Sequence, residues 1–231
     1  MSADIIFTFN GFRRGFIATV PLGMGASTFG ALFGFLADQQ GLSAIEALLM
    51  SGLVFAGASQ LVALELWSTN SSILLISLAA AFVNLRFMMM AAAMRPWLAG
   101  LSPAKAYGSL VLLVDMSFAL SLSDMNKGGR DAAFFLGSSV LLWLVWVAST
   151  GFGFAFGHLL SDPEAWGLDF LVPACFISMT VPLYQQRRSL VPWSVAAGAS
   201  CLAWQTLPGA SYLLVGAVAG ALTGALLDER R

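Results

Sequence analysis

An arginine in the middle of a long apolar stretch strongly limits what this chain can fold into. Residues 73–96 are almost entirely apolar, yet they include Asn84 and Arg86 near their middle. A guanidinium among hydrocarbon chains costs at least about 2.5 to 3.5 kcal/mol on insertion scales, so Arg86 must face protein or water and find a partner. The stretch therefore predicts a membrane-spanning helix with a function inside the bilayer.

The composition of the whole chain agrees with a membrane protein. Of its 231 residues, 58% are hydrophobic and 10% are charged, and the mean hydropathy is +0.83. Soluble domains have about a quarter charged residues, so this chain has too little polar surface to be one. Its net charge of −1 offers no basic surface for nucleic acid. Arg13 and Arg14 precede a long apolar run without a signal-peptide cleavage site, so we expect this run to remain in the mature protein.

Eight apolar segments are candidates for crossing a hydrocarbon layer of about 30 Å, which takes about 20 helical residues. We therefore predict an all-α polytopic membrane protein with one transmembrane domain over residues 1–231 and several helices broken by proline or glycine. The predicted spans are residues 15–37, 43–67, 71–94, 104–122, 132–157, 170–184, 190–207 and 210–227.

The first span has two groups of small or helix-breaking residues. Gly30 and Gly34 form a small-xxx-small pair, which predicts the close approach of another backbone. Pro21, Gly23 and Gly25 can instead open the helix and free backbone groups beside a cavity. The sequence leaves both interpretations open.

Residues in the second and fifth spans and in the loop after the third predict helix ends or the environment of the chain. Ser43 and Glu46 have the spacing of a capping box at the start of the second span. Gln60 lies later in that span and must hydrogen-bond, so this segment should face helices or a polar cavity. Trp97 is expected at headgroup level, and the fifth span, rich in Trp and Phe, is expected to contact lipid.

The basic residues predict the orientation of the chain. With eight spans and a cytoplasmic N-terminus, eight basic residues lie inside, and two, Arg95 and Lys105, lie outside. Both termini are then cytoplasmic. The first and sixth spans share a Val-Pro pair, at residues 20–21 and 172–173. The second and seventh share Ala-Gly-Ala-Ser, at residues 56–59 and 197–200. This is compatible with an inverted repeat that has a substrate site at mid-membrane.

Several short motifs of the N-terminal half resemble one protein family. They are Gly11-Phe12-Arg13, Pro21-Leu22-Gly23, Phe29-Gly30, Met50-Ser51, Phe55-Ala56-Gly57-Ala58-Ser59-Gln60 and Asn84-Leu85-Arg86. Together they resemble the AzlC family of branched-chain amino-acid exporter subunits, and the likeness in length and span layout extends over the whole chain. The resemblance implies a transporter of the bacterial cytoplasmic membrane that moves valine, leucine and isoleucine outward. It also implies a small polytopic AzlD-type membrane subunit as partner.

A glycine stripe in the last span has two interpretations. Gly216, Gly220 and Gly224 recur at four-residue steps and predict tight helix packing. The stripe can serve packing within this chain, or it can be the docking face of the AzlD-type subunit.

An amino-acid zwitterion needs a donor for its carboxylate, an acceptor for its ammonium and an apolar pocket. Arg86 is a predicted carboxylate donor, and Asp115, Gln60 or Asn84 is the predicted ammonium acceptor. The predicted substrate-binding set is Arg86, Asn84, Gln60, Ser59, Pro21 and Gly23, with backbone N–H groups near the last two as alternative carboxylate donors. Met88 and Met89 can line the apolar pocket or simply pack against other side chains.

Asp115 is also the predicted proton-coupling residue, because it lies deepest in its span. The chain has no phosphate-binding Gly-x-x-x-x-Gly-Lys loop, so ATP hydrolysis by this chain is not predicted, and neither is a cofactor or a metal. The alternative role of Arg86 is a structural ion pair with Asp115 that only docks two helices.

Two other classes of function compete with the transporter. An intramembrane protease needs a serine with a histidine at membrane depth, or histidine with glutamate at helical spacing. The one histidine, His158, lies at the end of the fifth span, so an enzyme is not predicted. The second alternative is a channel or membrane subunit for another small solute, whose pathway a partner chain supplies.

Overall fold

The fold is all helical in the part of the chain that the structure describes. The structure is a computed structural model, and it describes residues 5–68, 71–157, 177, 190–206 and 211–228. In these ranges there is no strand, only one bridge between Ile6 and Asp131, which confirms the predicted all-α class. The predicted sixth span, residues 170–184, lies outside the described residues apart from its one described position. The chain divides into two units, residues 1–60 with 81–161 and residues 61–80 with 162–231.

Eleven helices lie in the described ranges. They are α1 (Phe9–Gln39), α2 (Ala44–Leu53), α3 (Gly57–Ser68), α4 (Ile73–Asn84), α5 (Arg86–Ala93), α6 (Arg95–Leu98), α7 (Pro103–Leu110), α8 (Asp115–Asn126), α9 (Ala133–Gly157), α10 (Leu190–Thr206) and α11 (Ser211–Asp228). By length and composition, α1, α4 with α5 (Ile73–Ala93) and α9 can each cross a membrane.

Helices α1 and α9 pack side by side and form the centre of the first unit. A β-carbon at Gly15 would overlap the carbonyl oxygen of Phe134. One at Gly34 would overlap the carbonyl oxygen of Thr150. Residue numbers thus increase in the same direction along both helices, which are parallel. This close approach confirms the small-xxx-small prediction for Gly30 and Gly34.

Helix α1 continues through Pro21, so of the two interpretations of the first span, the one in which Pro21, Gly23 and Gly25 open the helix does not hold. A proline removes one helix hydrogen bond but does not have to end a helix that is held by a neighbour along its length. Gly23 is buried, and a β-carbon there would lie 3.5 Å from Val145 of α9. The backbone amides that follow Pro21 are therefore within a helix and not beside a gap.

Helix α9 is more deeply packed than its sequence indicates. The Nε1 of Trp143 donates to the carbonyl oxygen of Gly52 at 2.9 Å, and Trp146 is only 7% exposed. The span is expected to contact lipid, but both of its indole N–H groups donate to partners inside the protein, so its two tryptophans belong to the packed face. Phe152 and Phe156 do lie on its exposed face.

The predicted second span is two helices with a break between them. Ser43 caps α2 and forms the predicted capping box with Glu46. The helix ends at Leu53, and α3 begins at Gly57 after a break in which Phe55 has a φ of 45°. Positive φ is unusual for a side chain of this size. The chain therefore changes direction at a buried phenylalanine and not at a proline.

One end of the first unit, here called the basic end, joins residues 5–8, 94–105 and 127–132. The N–H of Ile6 donates to Arg130 at 2.9 Å, and the Nε1 of Trp97 donates to Gly129 at 3.0 Å. The Nζ of Lys105 lies 5.1 Å from the ring centroid of Phe7.

This arrangement contradicts the predicted placement of Arg95 and Lys105 on the side opposite to residues 124–131. It also corrects the prediction for Trp97, which is buried with 1% exposure and does not lie on the surface at headgroup level. A contact across about 30 Å of hydrocarbon is impossible, so these loops share one side.

In the second unit, α10 and α11 pack against each other. A β-carbon at Gly216 would overlap the hydroxyl oxygen of Ser200, and one at Gly220 would lie 2.9 Å from the β-carbon of Ala196. The glycine stripe, which includes Gly224, thus packs within this chain against α10, which is the first of its two interpretations. In this arrangement α10 covers the face proposed for the partner subunit.

The two copies of the Ala-Gly-Ala-Ser motif differ in structure. Residues 56–59 include the start of α3 after a break, whereas residues 197–200 lie inside the uninterrupted helix α10. The predicted repeat of broken helices at matching positions is therefore absent from this pair. The other pair includes residues 172–173, which lie outside the described residues.

Candidate functional site

Arg86 and Asp115 form an ion pair where two helix interruptions meet. The Nη2 of Arg86 lies 3.1 Å from the Oδ2 of Asp115. Arg86 is the first residue of α5, directly after the turn at Leu85 that ends α4, and Asp115 is the first residue of α8. Both charges thus lie at helix N-termini, and Asp115 interacts favourably with the positive end of the α8 dipole.

The break before α8 is closed by hydrogen bonds of its own. The hydroxyl of Ser117 donates to the carbonyl oxygen of Val114 at 3.0 Å and accepts from the N–H of Val114 at 3.3 Å. Ser117 is fully buried, so this arrangement does not depend on solvent. The loop holds Asp115 in place opposite Arg86.

Both charges lie far from the basic end. Helix α5 rises about 12 Å from Arg86 to its end beside Met94, and α8 rises about 18 Å from Asp115 to its end beside Lys127. A hydrocarbon layer is about 30 Å thick, so these rises are about half of its thickness.

Two buried polar atoms close to the ion pair in sequence have no hydrogen-bond partner among the described residues. They are the Oδ1 of Asn84 and the Nε of Arg86. An unpaired buried polar group costs about 1–3 kcal/mol, so a polar ligand that reached either atom would gain binding energy. One is an acceptor and the other a donor, as a zwitterion requires.

The ion pair is itself partly accessible. The side chain of Arg86 is 32% exposed and that of Asp115 is 46% exposed, and the Arg86 guanidinium lies 5.2 Å from the ring centroid of Phe87. Met88 and Met89, predicted as pocket candidates, are both about 70% exposed on α5. A charged pair beside apolar side chains is thus open to a small amphiphilic solute.

Gln60 belongs to a different, fully buried network. Its Nε2 donates to the hydroxyl of Ser51 at 3.2 Å, and its Oε1 accepts from the Nε1 of Trp146 at 3.2 Å. Ser51 also hydrogen-bonds Thr150 at 2.8 Å. The predicted need of Gln60 for partners is confirmed, and those partners hold α2 and α3 against α9. Ser59 bonds locally to the carbonyl oxygen of Ala56.

Replacing Gln60 by leucine is expected to destabilise the protein. The change keeps a similar volume but leaves the buried Trp146 N–H without its acceptor, at about 1–3 kcal/mol, whereas Ser51 keeps its hydrogen bond to Thr150. We expect a lower apparent Tm in detergent and less protein in the membrane. Ser59→Ala, which removes only the local bond to Ala56, is the matched control and should remain near wild type. Equal Tm values for the two variants would contradict this role of the Gln60 network.

The structure also assigns partners to residues that sequence reasoning did not select. Asp131 accepts from the N–H of Thr8 at 3.1 Å and from the Ala133 N–H at 3.1 Å, and it also accepts from the Thr8 hydroxyl. Arg14 pairs with Asp124 at 3.0 Å. Thr8 as an N-cap before α1 is a readable sequence signal, but nothing in the sequence identifies Asp131 as its acceptor.

Comparison with known sequences gives consistent results. A family described as AzlC protein matches residues 21–160, which is more than half of the chain. An uncharacterized membrane protein of Archaeoglobus fulgidus is 32% identical over 220 residues, and the match covers 94% of each chain.

Two named relatives are more distant. Inner membrane protein YgaZ of Escherichia coli is 27% identical, over 92% of this chain and 89% of its own. Branched-chain amino acid transport protein AzlC of Bacillus subtilis is 26% identical, over 77% of this chain and 69% of its own. No solved structure matches this chain.

Proposed function

Because this chain belongs to the AzlC family, we propose that it is a membrane transporter subunit that exports branched-chain amino acids. One relative, at 26% identity, has branched-chain amino acid transport in its name. The single observation that best supports the proposal is the partly exposed Arg86–Asp115 pair, in which the Nε of Arg86 has no hydrogen-bond partner among the described residues. The membrane is the cytoplasmic one, and both termini face the cytoplasm.

The proposed binding mode assigns each end of the zwitterion to one side of the ion pair. The substrate carboxylate accepts from the guanidinium of Arg86, which offers the unpaired Nε besides the Nη2 already directed at Asp115. The substrate ammonium donates to Asp115 and to the Oδ1 of Asn84. The apolar side chain lies against the exposed Met88 and Met89. In this proposal Gly23, Ser59 and Gln60 support the site indirectly through helix packing and hydrogen bonds, and Pro21 has no direct role.

Proton coupling is assigned to Asp115. Binding of a proton there would weaken its pairing with Arg86, and release of the proton would restore it. We expect Asp115→Asn to reduce export by about 10- to 100-fold, since one charge-assisted hydrogen bond contributes about 1.5–3 kcal/mol. The export that remains should no longer respond to a pH gradient across proteoliposomes. If the variant keeps the pH response of the wild type, Asp115 is not the coupling residue.

Transport by the purified chain tests the function itself. Proteoliposomes with this chain alone, and with its small AzlD-type partner, are loaded with labelled valine, leucine or isoleucine, with lysine as the control solute. Efflux of the three apolar amino acids and retention of lysine is the expected result. Equal retention of all four in both preparations would refute the proposal. Efflux only with the partner would favour the alternative in which the partner supplies the pathway.

A further inference from the structure

Helix α7 begins, and helix α8 ends, at the basic end of the first unit. Lys105 near the start of α7 lies over Phe7, and Gly129 just after α8 accepts from Trp97, all at the basic end. The two helices have 8 and 12 residues, which correspond to about 12 Å and 18 Å, so neither crosses about 30 Å alone. The chain therefore enters from the basic end, turns at residues 111–114 and returns.

Helices α2 and α3 form a similar turn from the opposite end. Helix α1 ends there, where the Nε2 of Gln39 donates to the carbonyl oxygen of Gly157, and α2 follows after a short loop. Ser51 and Gln60 hydrogen-bond each other across the break. Nine residues of continuous helix would separate them by about 13.5 Å. The chain thus turns back on itself at residues 54–56.

The long apolar helix Ile73–Ala93 connects the two turns. Its last residue precedes Met94 and Trp97 at the basic end, and by length and composition it can cross a membrane. A crossing that ends at the basic end begins on the opposite side of the bilayer, so residues 43–68 would leave and return to that side.

We propose that residues 43–68 and 103–126 are two re-entrant hairpins that enter the bilayer from opposite sides and turn back near its middle. Among the described residues up to position 157, only α1, Ile73–Ala93 and α9 then cross completely. Together with the crossings that the sequence predicts at 170–184, 190–207 and 210–227, this gives six and keeps both termini on one side. This topology does not depend on the identity of the substrate.

The distribution of basic residues agrees with two hairpins better than with eight crossings. The chain has 11 Lys and Arg residues. When the spans that the sequence predicts after residue 157 are counted as crossings, ten of them fall on the cytoplasmic side and none outside, and the eleventh is Arg86. The eight-crossing arrangement leaves Arg95 and Lys105 outside, so the hairpins remove its one conflict with the positive-inside rule.

The hairpins also explain how an ion pair can lie at mid-membrane beside irregular backbone. Non-helical backbone at that depth is tolerated only inside protein or along a water-filled cavity. Asp115 lies at the turn of the second hairpin, and half-crossing helices with their ends at a substrate site are typical of secondary transporters. This last step rests on the proposed function, whereas the topology does not.

Cysteine labelling tests the topology in whole cells. Cys175 and Cys201 are first replaced by serine, and single cysteines are then placed by Ser72→Cys and Ser102→Cys, with Ser68→Cys and Gly100→Cys as second positions in the same loops. Gln40→Cys is the outside reference and Lys127→Cys the inside reference. A membrane-impermeant maleimide is added to intact cells and, separately, to inside-out vesicles.

The two topologies predict opposite results at the test positions. With re-entrant hairpins, positions 68 and 72 label in intact cells like Gln40→Cys, and positions 100 and 102 label only in inside-out vesicles like Lys127→Cys. Eight full crossings predict the reverse at all four positions. Reversed labelling in either loop would overturn the proposal, even if amino-acid export is confirmed.

Discussion

Replacing both members of the Arg86–Asp115 pair by neutral amides, as Arg86→Gln/Asp115→Asn, is expected to abolish transport and leave the protein in the membrane. Removing one charge of an ion pair inside a membrane leaves the other charge without its partner, whereas removing both leaves no unpaired charge. Gln and Asn can also still hydrogen-bond each other at this position. Transport should fall to background because neither end of the zwitterion then meets an opposite charge.

The double variant separates a binding role from a structural one. If the pair only docks two helices, a well-folded double variant transports at the wild-type rate, and that outcome would remove the pair from the mechanism. Arg86→Ala alone should both accumulate less and transport nothing, so it does not distinguish the roles. Membrane accumulation by immunoblot and export of labelled leucine are measured on the same cells.

A second ion pair, closer to the basic end of the same unit, serves as a matched control. Arg14 and Asp124 form an ion pair at 3.0 Å, with side chains 52% and 24% exposed. An exposed pair contributes about 0–1 kcal/mol, so Arg14→Gln/Asp124→Asn should leave both accumulation and transport close to wild type. The two double variants carry the same kinds of substitution, and they differ in how far the ion pair lies from the basic end.

The second large effect is expected from a single methyl group, in Gly34→Ala. The new β-carbon would overlap the carbonyl oxygen of Thr150, which is backbone and cannot rotate away. Helices α1 and α9 would have to separate, and such overpacking costs about 1–3 kcal/mol or more. At about 2–4 °C per kcal/mol for a chain of this size, the apparent Tm should fall by about 2–12 °C. Thermal stability in detergent measures this directly.

Gly25→Ala is the control on the same helix. A β-carbon at Gly25 meets nothing within 4 Å. Alanine is favoured over glycine in a helix interior by up to about 1 kcal/mol, so the Tm should stay the same or rise slightly. Equal losses at Gly25 and Gly34 would mean that the interface of α1 and α9 does not limit stability.

Residue chemistry in the sequence predicted much of the candidate site. Arg86 in an apolar stretch requires a partner, and Asp115 in the following apolar segment is a carboxylate that can supply one. The structure pairs them at 3.1 Å. Gln60 likewise had to find hydrogen bonds, and Ser43 with Glu46 had to cap a helix. These predictions hold because burying a charge or an amide alone is costly wherever the chain runs.

The path of the chain, in contrast, could not be read from hydropathy. The breaks at residues 54–56 and 111–114 contain neither glycine nor proline, whereas the proline at position 21 does not break α1. A half-crossing helix and a full crossing are equally apolar, so their composition is the same. For the same reason, the Trp-rich helix α9 could not be distinguished from a lipid-facing one.

The sequence by itself determined that this protein lies in a membrane, that Arg86 needs a countercharge and that its small residues permit close helix contacts. Only the tertiary structure decided that residues 5–8, 94–105 and 127–132 meet at one end, and hence where the chain turns back. The physical reason is that the free-energy cost of burying a charge or an amide depends on the residue itself, so it can be predicted from the local sequence. Chain direction depends on contacts such as Trp97 with Gly129, between residues far apart in sequence.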